Sequence, residues 1–135
     1  MDIVCEEVIG VGVDLVSVSR MQSAISRHPR ILDRLFSDAE REYCSRAKPP
    51  WERWAARFAG KEAVIKALGA SPGRMPWRMI SIEGGEGRPY IRLLGKAANY
   101  ARSVGCDRIE ISLTHHEGMA VAVAVAIRGV KIRTD

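Results

Sequence analysis

Two carboxylates in this chain stand where carboxylates are out of place. Asp14 is the only charge in the apolar run Val8 to Val16, and Glu62 lies at the edge of an apolar helix face. A strand carboxylate and a helix carboxylate can share a Mg²⁺ ion, which takes one or two carboxylates and completes its octahedron with waters and substrate phosphates. Lys66 follows Glu62 by one helical turn and can reach a phosphate oxygen. The same spacing also describes a common, weak surface pair, and for these two residues alone that is the simpler account. Lys61 falls inside the apolar face. A buried charge is costly unless it is paired or bound to a metal, so either Lys61 and Glu62 neutralise one another or the helix lines a site that needs both.

Thr114, His115 and His116 sit together in what reads as a polar turn, where a histidine is more often structural than catalytic. Arg20, Arg27 and Arg30 form a basic band early in the chain. Such a band is usually a solvated helix face; it can also dock an acidic partner through steering and rim contacts.

These residues need elements to position them. Ile9, Val11, Val13 and Leu15 alternate with Gly10, Gly12 and Asp14, which predicts a strand over Val8 to Val16. Gly10-x-Gly12 lacks the third glycine of a dinucleotide fingerprint, since position 15 is leucine. Ser17 or Ser19 can cap a helix that runs to about Arg27. Ser37-Asp38-Ala39-Glu40 is a capping box for a short helix through Cys44. Pro49-Pro50 launches the long helix, on which Trp54, Phe58, Ile65 and Leu68 share a face, and Gly69 ends it. Met79 to Glu83 and Tyr90 to Leu93 read as a hairpin around Gly84 to Pro89. A helix follows over Lys96 to Val104, then a strand through Ile109, Ile111 and Leu113. After a turn at Thr114 to Gly118 comes a last strand, in which Val121, Val123, Val125 and Ile127 alternate with alanines. That alanine face suits a helix or another subunit. The order predicts one α+β domain over residues 1–135, with a mostly antiparallel sheet packed on a long central helix.

The chain has 135 residues and a net charge of +5, which suits one modest core and an acidic partner or ligand. Aromatics are only 6%, too few for an array of base-stacking platforms, and no nucleic-acid-binding signature is present. Cys5, Cys44 and Cys106 are odd in number and far apart, which argues against a disulfide framework or a zinc site and for a reducing cytosol. The N-terminus has acids where a signal peptide would be basic, and Met119 to Ile127 is too short to span a bilayer. The expectation is a cytoplasmic protein with no nucleic-acid or membrane partner.

Three segments carry a resemblance when taken in order: Gly12-Val13-Asp14-Leu15-Val16, Arg57 through Gly69 with Lys61-Glu62-Ala63 and Lys66, and Ser112-Leu113-Thr114-His115. Together they resemble the 4′-phosphopantetheinyl transferases, above all the short holo-(acyl-carrier-protein) synthases, over nearly the whole chain. Gly87-Arg88-Pro89 resembles that family's Gly-Lys-Pro turn. The resemblance implies transfer of phosphopantetheine from coenzyme A to a serine of apo acyl carrier protein, with release of 3′,5′-ADP. It implies that Asp14 and Glu62 hold Mg²⁺, and that Lys66, Lys61 and Arg57 neutralise phosphate charge. Gly87, Arg88, Pro89, Thr114 and His115 would contact coenzyme A, with His115 catalytic in second place. Arg20, Arg27 and Arg30 would meet the acidic carrier, and the assembly would be a homotrimer with sites at subunit interfaces. The chain departs from the family at Ile65, where serine is common, at Gly60 for alanine, and at Thr114 for serine. Ile65 is thereby expected to cost one phosphate contact, and His116-Glu117 leaves the histidine's register open by a residue. A non-catalytic module of the same fold that only binds the carrier is the alternative; the intact Asp14, Glu62 and Lys66 set argues against it.

Overall fold

The computed structural model describes residues 2–133, with elements in the order β1 (Asp2–Ser17), α1 (Val18–Arg27), α2 (Ile31–Leu35), α3 (Asp38–Ser45), α4 (Trp51–Ala67), a 3₁₀ turn (Trp77–Met79), β2 (Ile80–Glu83), β3 (Tyr90–Leu93), α5 (Gly95–Ser103), β4 (Arg108–His116) and β5 (Met119–Arg133). The expected helices and strands are present, with α2 in addition. The single expected sheet is two: a three-stranded antiparallel sheet in the order β1-β5-β4, and a separate β2-β3 hairpin.

Helix α4 is the centre. Core clusters lie on two of its sides, one with α5 and β2, the other with α1 and α3. Of the predicted face, Trp54, Ile65 and Leu68 are buried and Phe58 is partly buried, but Ala55, Ala59, Gly60, Ala63 and Ala67 are buried too, so the helix is covered on most of its sides, as a central helix must be. Its small residues meet the small residues of the sheet: Ala120, Ala122, Ala124 and Ala126 of β5 are completely covered. The alanine face therefore belongs to the helix, and the opposite valine face of the sheet is left exposed. Gly10 and Gly12 complete the close fit. A Cβ built on either lands inside contact distance of the α4 backbone, at the carbonyls of Ala67 and Ala63.

The helix boundaries follow local chemistry. Ser17 caps α1 by accepting from the Arg20 amide. Ser37 and Glu40 form the capping box of α3. Gly69, at φ 60°, closes α4 with the Ala70 amide donating to the Ile65 carbonyl, the six-to-one bond of a glycine-stopped helix. The predicted turn at Thr114 to Gly118 is shorter. Glu117 and Gly118 alone turn the chain, both at positive φ as a two-residue hairpin demands, and Thr114, His115 and His116 belong to β4.

Candidate functional site: two carboxylates and a separate cavity lined by Arg57

The glycines of β1 bring Asp14 up to α4. Its carboxylate Oδ1 accepts from Lys66 Nζ at 2.9 Å, and the same amine donates to the Val13 carbonyl at 3.1 Å. Lys66 therefore pairs with Asp14 rather than with Glu62. One Glu62 oxygen accepts from the Trp77 indole at 3.1 Å. Asp14 and Glu62 line a single cleft of about 420 Å³, together with Ser17, Arg20, Phe58 and the inner faces of α1 and α2. Its hard oxygen donors come as a pair, and no group of three or more histidine, cysteine or acidic side chains able to hold a metal occurs among the described residues. Two carboxylates open to one cavity, one of them already drawing an ammonium, fit Mg²⁺ better than a metal that needs a full protein cage.

Lys61 is a correction. It is fully buried and its ammonium reaches Glu40 Oε1 at 2.5 Å, the Trp77 carbonyl at 2.8 Å and the Ile80 carbonyl, with no route to a ligand. Glu40 also accepts from the amides of Ser37 and Ile82, both at 2.9 Å. Neither expected partner is right, because the neutralising acid comes from α3 rather than from position 62. Burial pushes the Lys61 ammonium below the usual lysine range, and Glu40 works against that shift. This ion pair ties α3 and the β2 strand to α4.

A second cavity, of about 340 Å³, lies beside the first half of α4 and shares no lining residue with the carboxylate cleft. Arg57, Gly87, Pro89, Thr114 and His115 line it, as do Tyr43, Glu52, Arg53 and Glu86. Arg57 is only 7% exposed, stacks on Tyr43 at 4.6 Å, and keeps its Nε buried without a hydrogen-bond partner. A buried guanidinium with an unmet donor in a cavity wall is suited to an anion, because leaving it unmet costs about 1–3 kcal/mol. His115 Nδ1 lies 2.5 Å from Glu52 Oε2, and His116 points to solvent beside Glu117, so the register of the turn favours His115. Glu52 and Arg53 were not singled out by sequence. Arg53 stands one turn before Arg57 on the same helix face, a signal available from spacing alone.

Other expected residues lie elsewhere. Arg88 leaves this pocket and pairs with Glu110 at 3.3 Å, on the wall of a separate groove between β3 and β4. Ile65 is 4% exposed in the core, so its side chain replaces no phosphate contact at this position. Arg20 lines the carboxylate cleft, while Arg27 and Arg30 are exposed beyond it, Arg27 bonded to Ser23. Burial raises the Cys44 thiol to about 12, and Cys106 is also raised by burial; neither faces the carboxylate cleft or the Arg57 cavity.

Residues 10–124 match the family model for the 4′-phosphopantetheinyl transferase superfamily. The holo-[acyl-carrier-protein] synthase of Moorella thermoacetica is 44% identical over 115 residues, 84% of this chain and 90% of that protein. The crystal structure of holo-[acyl-carrier-protein] synthase from Neisseria meningitidis superposes with a TM-score of 0.81 at 27% identity, over 89% of this chain and 98% of that one. The Helicobacter pylori holo-[acyl-carrier-protein] synthase in complex with coenzyme A superposes with a TM-score of 0.75 at 28% identity, over 86% and 98%. The match takes in the Asp14 strand, the helix of Arg57, Glu62 and Lys66, and the His115 strand, and this chain belongs to the 4′-phosphopantetheinyl transferase superfamily.

Proposed function

We propose that the protein is a holo-(acyl-carrier-protein) synthase, moving 4′-phosphopantetheine from coenzyme A to a serine of apo acyl carrier protein. The observation that carries this reading is the pair Asp14 and Glu62 in one cleft with Lys66 at its edge. The serine oxygen bonds to the phosphorus nearer pantetheine, that phosphorus parts from the bridging diphosphate oxygen, and adenosine 3′,5′-bisphosphate leaves. Asp14 and Glu62 would hold Mg²⁺, which when bound supplies charge neutralisation at the diphosphate. Lys66 adds a cation at the same place. Asp14, engaged by Lys66, and Glu62, engaged by the Trp77 indole, are also the carboxylate bases among the described residues lining the cleft, and either can take the serine proton. Arg57 and His115 take the anionic nucleotide end, with Gly87, Pro89 and Thr114 as the pocket wall. Arg20, at the mouth of the cleft, with Arg27 and Arg30 beyond, steers the acidic carrier.

In this reading each working site takes the carboxylate cleft from one copy and the Arg57–His115 pocket, which shares no lining residue with that cleft, from its neighbour. The exposed valine face of the sheet is the surface for that assembly, a homotrimer. No helix among the described residues is long and apolar enough to cross a membrane. Cys5, Cys44 and Cys106 are free thiols, which suits a cytosolic site of action.

The test is direct. Protein, coenzyme A, Mg²⁺ and an apo carrier are mixed and the carrier mass is followed. The expected gain is one phosphopantetheine, lost on chelation of the metal, and Glu62→Gln lowers turnover by at least about a hundredfold while the protein stays folded. An unchanged carrier mass beside an active control enzyme overturns the reading. Carrier binding without turnover would leave the non-catalytic module in its place.

A further inference from the structure

Glu62 does not find its own direction in the cleft. A glutamate side chain is long and its terminal torsion is broad and nearly two-fold, so an unrestrained carboxylate presents either oxygen over a range of angles. Here Oε1 accepts from the Trp77 indole at 3.1 Å. Glu62 and Phe58 line the cleft, whereas Trp77 is not among its lining residues. The indole therefore stands outside the cleft wall and meets the carboxylate from behind it.

Trp77 is fixed by contacts that owe nothing to Glu62. Its carbonyl accepts from the buried Lys61 ammonium at 2.8 Å. The same ammonium donates to the Ile80 carbonyl, so Lys61 brackets the 3₁₀ turn on which Trp77 stands. The Trp77 ring packs on Phe58, with centroids 6.1 Å apart and planes tilted by 43°, and against the core cluster that α4 shares with α5. Two consecutive residues of α4 thus grip one residue at two points. Lys61 takes its backbone carbonyl, and Glu62 meets its side chain. The indole is the fixed partner, and the carboxylate is the one that is held.

The chemistry of the donor matters. Asp14 is held by an ammonium, which offsets its charge. An indole N–H is a donor only and carries no charge. It directs Glu62 and leaves the whole negative charge for a cation. Lys61, the neighbouring ammonium, is spent on Glu40 and cancels nothing at position 62. A group that bonds the far side of a metal ligand fixes the ligand's direction, and its loss typically costs about 10–100-fold in metal affinity. We propose that Trp77 is a positioning residue for the metal site. Its indole holds Oε1 so that Glu62 turns its other oxygen towards the cation shared with Asp14, and Lys61 acts through the Trp77 carbonyl to keep the turn in place. The proposal rests on the metal reading of Asp14 and Glu62 above.

The full-length chain, free of carrier, tests it. Trp77→Phe keeps an aromatic ring against Phe58 and the carbonyl for Lys61 but has no N–H to donate. Mn²⁺, standing in for Mg²⁺, is titrated in with coenzyme A present, and electron paramagnetic resonance reads the free ion. The expected result is a dissociation constant raised about tenfold or more in Trp77→Phe. When Glu62→Gln is already present there is no carboxylate to direct, and Trp77→Phe should change the constant by less than about twofold. The wild type gives a reading free of mutation: the Trp77 indole N–H resonance is expected to move as Mg²⁺ binds. Unchanged affinity in Trp77→Phe beside a loss in Glu62→Gln overturns the role and leaves the metal pair standing. An equal loss in both backgrounds makes Trp77 part of the scaffold only, and also overturns it. An indole resonance that saturating Mg²⁺ leaves in place does the same, even where the variant fails to fold. A wild type that binds no metal with coenzyme A present removes the metal pair and the role of Trp77 with it.

Discussion

Position 61 shows how a charge can be conspicuous in sequence and still have no ligand to bind. Its ammonium is enclosed by Glu40 and two carbonyls, so it holds α3 and the 3₁₀ turn against α4 rather than reaching a phosphate. Lys61→Met should therefore lower unfolding free energy by about 3–5 kcal/mol in urea titration, because it leaves a buried carboxylate without its cation. Unchanged stability together with weaker coenzyme A binding would return Lys61 to the ligand site. Cys44 carries a second prediction. Its thiol titrates from 9.0 when free to about 12 when folded. Between those values the folded state binds more protons than the unfolded, so stability is complete below pH 9 and falls as pH rises towards 12. At about pH 10.5 the loss is about 2 kcal/mol, and Cys44→Ala should remove that part of the alkaline slope even if it lowers stability throughout.

At the scale of elements, the site depends on how closely β1 approaches α4. Gly10 and Gly12 leave no room for a Cβ against the helix carbonyls. Backbone clashes of this kind cannot be relieved by a rotamer change. Gly12→Ala should destabilise by at least about 2 kcal/mol, and by moving the strand should weaken Mg²⁺-dependent activity in the molecules that remain folded. A variant with wild-type melting temperature and turnover would show that the approach is not needed. The Gly-x-Gly signature was visible from the start. That its purpose is close packing, and not a phosphate turn, becomes visible only with the helix in place.

At the scale of the molecule, the two separate cavities, proposed above to take metal and nucleotide, make a prediction about mixtures. Glu62→Gln disables the cleft, and Arg57→Ala with His115→Ala disables the pocket; each protein alone should be nearly inactive. After subunit exchange in equal amounts, activity should return to roughly one quarter of wild type, the chance that an intact cleft meets an intact pocket at a given interface. No recovery, with exchange verified by mass, would place the whole site within one chain. Much of this arrangement was legible in sequence. The Asp14 strand, the capping box at Ser37, the α4 helix with its Gly69 stop and the β2-β3 hairpin follow from short-range periodicity, caps and turn residues. The full length of β1 and β5 was not legible, because Glu6, Glu7, Arg128 and Lys131 interrupt the apolar pattern that marks a strand.

Sequence alone determined which residues had chemistry to offer: two misplaced carboxylates, a lysine one turn on, an arginine-bearing helix and a histidine near a turn. Those are properties of residue type and local spacing, and local spacing sets helix and strand faces. Tertiary structure decided the pairings, Lys61 with Glu40 and Lys66 with Asp14. It also decided which face of β5 the helix covers, and which residues share a cavity. These outcomes depend on register and on the bulge in β1 between Val8 and Gly10, and a shift of one residue would exchange the two faces of a strand.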